Sequence, residues 1–158
     1  MAVKRLLNEL KDIKKDPNYF YSLDLNENDI FIWNFSIIGP SDTLYEGGIF
    51  SGTLKFTNEY PNKPPVVKFD NILHPNIYNE GHVCISILHE GSDQYGYEKD
   101  SERWSPTQNI NSIMLSIISM LSAPNFESPA NVEASVLWKN EPLKYKHIIY
   151  RMVASSQG

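Results

Sequence analysis

Residues 110–121 constrain the chain more than any other stretch. Ile110, Ile113, Met114, Ile117, Ile118 and Leu121 spread apolar side chains around most of a helix, between Pro106 and Pro124. A helix with so little polar surface has to be central, and the rest of the sequence has to cover it. Upstream, Val3, Leu6, Leu7, Leu10 and Ile13 recur at helical spacing among charged residues, and the pattern stops near Asp16, before Pro17. Residues 19–25, 30–38 and 48–56 are rich in aromatic and β-branched side chains, with turn-forming stretches at 26–29 and 39–47. They read as an antiparallel meander, joined by a fourth run at 66–69 after the turn-rich 58–65. Beyond the apolar helix, 130–139 and 142–153 read as two more helices, the second with Pro142 in its first turn, where a missing N–H costs little. The expected class is α+β: an N-terminal helix, a four-stranded antiparallel sheet, a long irregular crossing, a central helix and two C-terminal helices.

A chain of 158 residues is the size of one ordinary domain, which hides roughly 68 to 70% of the surface its unfolded form exposes. One unit spanning residues 1–158 is expected, without repeats or linkers. A net charge of -5 and a pI near 5.3, with Lys and Arg scattered, provide no positive field for phosphates, so nucleic acid is not an expected partner. The only cysteine, Cys84, cannot close a disulfide within the chain, which points to a free thiol in a reducing, cytoplasmic compartment. Lys4, Arg5, Glu9, Lys11 and Asp12 interrupt the apolar stretch that a secretory leader would need. No apolar run approaches the roughly 20 residues that span a bilayer, so direct membrane insertion is not expected.

Periodicity disappears over residues 70–103, and 34 residues are too many for an idle connection. The chemistry-bearing side chains collect there: His74-Pro75-Asn76, Cys84, His89, an acidic stretch, and Trp104-Ser105-Pro106 at its end. A thiol of ordinary pKa, about 8.5, is only a few per cent thiolate at neutral pH yet is the best nucleophile among side chains. Cys84 can therefore accept and release acyl groups. A lone cysteine is also commonly a small apolar filler, although a long loop argues against that role here. His89 can relay protons, orient the acidic loop or cap backbone groups. His74 and Pro75 read as turn-shaping, and His82 as solvated. A metal centre built from Cys84, His74, His82 and His89 has suitable ligand types but no standard spacing and no partner thiol, so no metal is expected. Over 90–103, Glu90, Asp93, Glu98, Asp100 and Glu102 stand against Lys99 and Arg103, a local charge of -3. Such carboxylates attract and orient an ammonium and can accept its proton, unless they form only a solvated lid.

Tyr60-Pro61-Asn62-Lys63-Pro64-Pro65, His74-Pro75-Asn76, Cys84 eight residues after Asn76, Trp104-Ser105-Pro106 and Pro124-Asn125 occur in the order used by ubiquitin-conjugating enzymes. Each motif alone is weak, but together with the element order they make nearly the whole chain resemble that family. The long interval from Cys84 to Trp104, with Val83-Cys84-Ile85-Ser86-Ile87-Leu88-His89 and the acidic stretch, is similar to the G-type subgroup. That subgroup serves quality-control ligases at the endoplasmic reticulum and builds ubiquitin chains.

The resemblance implies a ubiquitin-conjugating fold in which Cys84 holds ubiquitin as a thioester, received from an activating enzyme that consumes ATP. It implies no cofactor bound by this chain, transfer to lysine amines with a RING-type ligase, and recruitment to the cytosolic face of the endoplasmic reticulum by partners. Asn76 matches the family's amide donor to the oxyanion formed during transfer, a contact whose loss elsewhere costs on the order of 2.7 to 4 kcal/mol. An Asn in such a turn can also simply hold the loop. Asp93 and Tyr97 are the acceptor-side candidates, with Gly91 and Gly96 allowing the loop to flex. Lys4 and Arg5 fall where the activating enzyme docks, and Asn62, Ser105 and Pro106 where a RING ligase docks. Leu115 and Ser119 fall where the thioester-linked ubiquitin folds back, unless Leu115 is plain core and Ser119 a packing residue.

Two departures from the common family pattern have consequences. Ser86 stands at a position that is often Asp, which leaves the proton acceptor to the acidic insertion or the substrate. Asn62 stands where a large apolar residue often anchors the ligase, which bears on which ligases bind. Two rival readings are a cysteine hydrolase with a histidine base, which has no local sequence signature here, and a silent ubiquitin-binding relative, usually marked by loss of the cysteine.

Overall fold

The computed structural model describes residues 1–157; Gly158, the last residue of the expected unit, lies outside the described residues. Helix α1 (Ala2–Lys15) leads into strands β1 (Tyr21–Leu25), β2 (Ile32–Ile38), β3 (Ile49–Lys55) and β4 (Val66–Phe69), followed by helices α2 (Ile110–Ser122), α3 (Val132–Asn140) and α4 (Pro142–Ser156). The sheet order is β1-β2-β3-β4 with every pairing antiparallel, the expected meander. Strict alternation makes one face apolar: Trp33, Phe35 and Ile37 of β2, Phe50 and Leu54 of β3, and Val67 and Phe69 of β4 are buried. Short 3-10 turns at Ser86–Leu88 and Asp100–Glu102 interrupt the irregular crossing.

Helix α2 shares one core with that face through Ile110, Ile113, Met114, Ile117, Met120 and Leu121. It is less enclosed than its composition suggests, because Asn111, Leu115, Ser119 and Ser122 form an exposed stripe and Ile118 is only partly buried. Its start is set by a reciprocal cap, in which the Asn109 side chain accepts from the Ser112 N–H and the Ser112 hydroxyl accepts from the Asn109 N–H.

Helix α1 is attached through Ala2 and Leu6, with Leu10 and Ile13 partly buried, whereas Val3 and Leu7 are exposed. Its buried charge is Glu9, which accepts from the Tyr60 hydroxyl, from Arg5 Nε at 2.9 Å, and from the Ile110 N–H at 2.7 Å. A carboxylate at the first amide of α2 satisfies an orphan donor and complements the helix dipole. No helix of the described residues is long and apolar enough to cross a membrane.

Candidate active site

The segment after β4 is folded back onto the sheet edge by backbone bonds. The Phe69 N–H donates to Gly81 O at 2.9 Å, the Val83 N–H to Val67 O at 3.0 Å, and the Cys84 N–H to Asn76 O at 2.9 Å. Gly81 has φ +108°, and a Cβ there would lie 2.1 Å from Phe69 O, so the return requires glycine. The consequence is that Cys84 faces Asn76 directly.

His74 anchors this loop from below. Its ring is fully buried, Nδ1 accepts from the Asn76 N–H at 2.9 Å, and Nε2, which therefore carries the proton, donates to Met120 O at 2.9 Å. Burial pushes its pKa down to about 4, the Met120 carbonyl opposing, so the ring is neutral at pH 7. With both nitrogens engaged it is not available to a metal shared with Cys84. The half-exposed His82 lies instead 3.4 Å from Glu80.

Asn76 is 3% exposed, and its side chain is bonded to the Asn125 backbone at both ends, donating from Nδ2 to Asn125 O at 2.8 Å and accepting at Oδ1 from the Asn125 N–H at 2.8 Å. An amide nitrogen carries two protons, so one Nδ2 proton remains outside this pairing. The residue borders the same cleft as Cys84.

Cys84 is half-buried beside a cleft of about 270 Å³ whose walls include Asn76, His89, Glu98, Ser116 and Ser119. Burial pushes its thiol pKa up; the Tyr78 hydroxyl opposes this and the Glu98 carboxylate adds to it. The sulfur is thus a protonated, held thiol at rest rather than a preformed thiolate. Nε2 of His89 stands 3.7 Å from it, and His89 Nδ1 lies 2.9 and 3.1 Å from the two Glu98 carboxylate oxygens. Glu98 also accepts from the Ser86 hydroxyl at 2.5 Å and from Arg103. Burial alone would raise the Glu98 pKa, but Ser86, His89 and Arg103 together outweigh it and hold the carboxyl below its usual range.

The acidic crossing is organised by two residues. Arg103 donates to Gly91 O and Glu90 O, each at 2.7 Å, while its third nitrogen reaches Glu98. The Asp93 carboxylate accepts from the N–H groups of Tyr95 at 2.9 Å, Tyr97 at 2.8 Å and Glu98 at 2.9 Å, and the Tyr95 N–H first among them holds its pKa low. Tyr97 is 87% exposed at the loop tip, beside the Tyr95 ring.

The structure brings Cys84, Asn76, His89 and Ser119 to one cleft, and the other candidates are not among the residues that line it. Lys4 is exposed on α1. Arg5 donates to Pro106 O at 3.1 Å and Gln108 O at 2.8 Å, so α1 is joined to the Ser105-Pro106 segment. Trp104 Nε1 donates to Pro61 O at 2.9 Å, which sets the loop of the exposed Asn62 beside that segment. Leu115 is 42% exposed and so lies outside the core. The sequence assigns no individual site role to Glu98 or Arg103, which count only toward the charge of the acidic stretch, or to Asn125, which enters only as part of the Pro124-Asn125 motif. Glu98 is one of several acids in the crossing, and Asn125 acts through its backbone, which side-chain identity does not report.

The family model described as ubiquitin-conjugating enzyme matches residues 5–153. The sequence is 52% identical over 155 residues to ubiquitin-conjugating enzyme E2 7 of Arabidopsis thaliana, covering 96% of this chain and 93% of that one. It is 48% identical over 155 residues to probable ubiquitin-conjugating enzyme E2 7 of Caenorhabditis elegans, covering 96% and 94%. Against ubiquitin-conjugating enzyme E2 G2 of Homo sapiens the identity is 44% over 160 residues, covering 99% and 97%. Agreement along the whole length, on a sheet-and-helix frame with a cysteine in its irregular crossing, makes the conclusion direct: this chain belongs to the ubiquitin-conjugating enzymes, transferases that work through a cysteine thioester, and within them to the G type.

Proposed function

We propose that Cys84 is the residue that receives ubiquitin as a thioester, and that a lysine amine of a substrate or of another ubiquitin attacks that thioester in the adjoining cleft. Family membership supplies ubiquitin, an activating enzyme and a ligase as partners. The observation that carries the reading is the single thiol of the chain, half-exposed at a cleft walled on the α2 side by small serines, Ser116 and Ser119, that leave room for an extended peptide tail.

The roles follow from the surroundings. Asn76 offers its remaining Nδ2 proton to the developing oxyanion while its other bonds keep it in place. His89 orients the acidic crossing over the sulfur. Asp93 shapes the acceptor side through the backbone amides it holds, and Tyr97 meets the acceptor. Leu115 and Ser119, on the open stripe of α2, meet the carried ubiquitin. Lys4 with Arg5 meets the activating enzyme, and Asn62, Ser105 and Pro106 meet a RING-type ligase. ATP is spent by the activating enzyme, and this chain, acting as one catalytic unit over residues 1–158, needs no cofactor and no metal. Likeness to the G type supports a cytoplasmic role in endoplasmic-reticulum-associated protein degradation, with recruitment to the membrane surface by partners.

Incubation with ubiquitin, activating enzyme and ATP tests the assignment. The adduct is expected to vanish with thiol reductant, and Cys84→Ser to give a reductant-resistant ester or no adduct. An adduct on the intact protein that survives reductant would refute the thioester.

A further inference from the structure

We infer that His89 is the proton acceptor of this cleft and that Glu98 is the residue that positions it, so that the crossing after Cys84 contributes a thiol–imidazole–carboxylate relay to transfer. The inference rests on Cys84 being the thioester residue.

Elimination and geometry agree on this assignment. Ser86 is neutral and gives its hydroxyl proton to Glu98, so it is no acceptor. The Asp93 carboxylate is occupied by three amides of its own loop. Glu98 is close enough to act, but Ser86, His89 and Arg103 use both of its oxygens, which makes it a firm holder and a poor base. A carboxylate on Nδ1 keeps the proton on that nitrogen and leaves the Nε2 lone pair facing outward, toward Cys84 Sγ at 3.7 Å. Nucleophile, base and orienting group thus stand in sequence, each within contact of the next. Arg103 fixes the far end by tying Glu98 to the Glu90 and Gly91 carbonyls. The titratable and charged groups facing the imidazole are Cys84, Glu98 and, behind Glu98, Arg103; the α2 wall adds the neutral Ser116 and Ser119.

In discharge, the neutral lysine amine attacks the thioester carbonyl carbon and the N–C bond forms. Its surplus proton passes to His89 Nε2, the C–S bond breaks, and the Cys84 thiolate takes the proton back from the imidazolium. Loading runs through the same groups: the Cys84 proton moves to Nε2 as sulfur attacks the incoming thioester, and the departing thiolate of the activating enzyme is protonated from there. Each exchange balances without a further reactant.

Single-turnover discharge of the ubiquitin-loaded protein to free lysine, followed between about pH 6 and 9, tests this in wild type and in the variants His89→Gln, Glu98→Gln and Glu98→Asp. His89→Gln and Glu98→Gln are expected to load more slowly than wild type, so every variant is loaded to completion first and discharge is read on the loaded fraction alone. Discharge at neutral pH should fall roughly 100-fold in His89→Gln and Glu98→Gln, in the range of general-base catalysis. The neutral fraction of free lysine falls about tenfold for each unit of pH lowered over this range, so rates are divided by that fraction, and the corrected wild-type rate should still decline on the acid side as the imidazole protonates. His89→Gln should lack that remaining decline, and Glu98→Gln should alter it, because the carboxylate no longer orients the imidazole. Glu98→Asp should recover part of the rate. Wild-type rates and profiles in Glu98→Gln and His89→Gln would overturn the relay, as would equal losses with an unchanged pH dependence. If Glu98→Gln fails to fold, the profile of His89→Gln decides alone. Wild type that never forms a reductant-sensitive adduct would instead remove the thioester reading beneath it.

Discussion

The side-chain amide of Asn76 and the backbone of Asn125 form a reciprocal pair, Nδ2 to O and N–H to Oδ1, each at 2.8 Å. The pair bolts the Cys84 loop to the chain just beyond α2, and it makes Asn76 a tether before it is anything else. Asn76→Ala should therefore do two separable things. Loss of the pair leaves a backbone donor and acceptor short of partners and should lower stability by about 1 to 3 kcal/mol, read from urea unfolding. Loss of the amide donor should slow discharge about 100- to 1000-fold, read on protein that is still folded and loaded. A stability loss with unchanged discharge from the folded fraction would leave Asn76 a tether alone.

How far the sequence reveals this molecule depends on what kind of signal each feature leaves. The alternation of Trp33, Phe35 and Ile37 marks β2 because one face of that strand is buried and the other is not. The strand at 19–25 begins two residues late, at Tyr21, because Tyr19 and Phe20 are exposed despite their strand-like character. The central position of α2 is legible from its composition, but its open stripe is not, since Leu115 reads as core and is exposed. Asn76, Cys84 and His89 can be chosen from motif order, and they meet at one cleft. Glu98 cannot, because only the loop path shaped by Asp93 and Arg103 distinguishes it from its acidic neighbours.

His74 links the site to acid stability. Burial holds its pKa at about 4, below the reference value of 6.5. Between those values the unfolded chain binds a proton that the folded protein refuses, so the contribution is whole above the unfolded value and is lost as pH falls toward the folded one. The full loss is about 3 kcal/mol. Urea unfolding measured from neutral pH down toward 4 should show this decline. His74→Gln should be less stable at neutral pH yet lose less on acidification. Parallel curves for the two proteins would assign the acid sensitivity to other groups.

Arg103 orders the acidic crossing through Glu90 O, Gly91 O and Glu98, all within a surface segment. Arg103→Ala should raise amide hydrogen exchange across residues 90–103 while leaving global stability within about 1 kcal/mol, since surface loops open independently of the core. Discharge should slow with it, because Glu98 loses its brace. Unchanged exchange in that segment would show that the Asp93 turn is sufficient to hold it.

Glu9 makes a corresponding prediction for the junction of α1 with the start of α2. An amphipathic reading of α1 turns every charge outward, yet this carboxylate is buried and joins three elements: Arg5 in its own helix, the Tyr60 hydroxyl, and the first amide of α2. It also holds Arg5 in position to reach Pro106 O and Gln108 O, so the α1 surface and the Ser105-Pro106 segment are fixed relative to each other. Removing one member of a buried charged pair is expensive because the other is stranded. Glu9→Ala should therefore cost about 3 kcal/mol, the low end of that range, since Arg5 can still turn toward water. Glu9→Gln keeps the shape and one acceptor oxygen, and should cost less. Both variants should load more slowly than they discharge relative to wild type, because docking depends on the fixed surface and transfer chemistry lies elsewhere. Equal slowing of both steps would place the effect in the cleft instead.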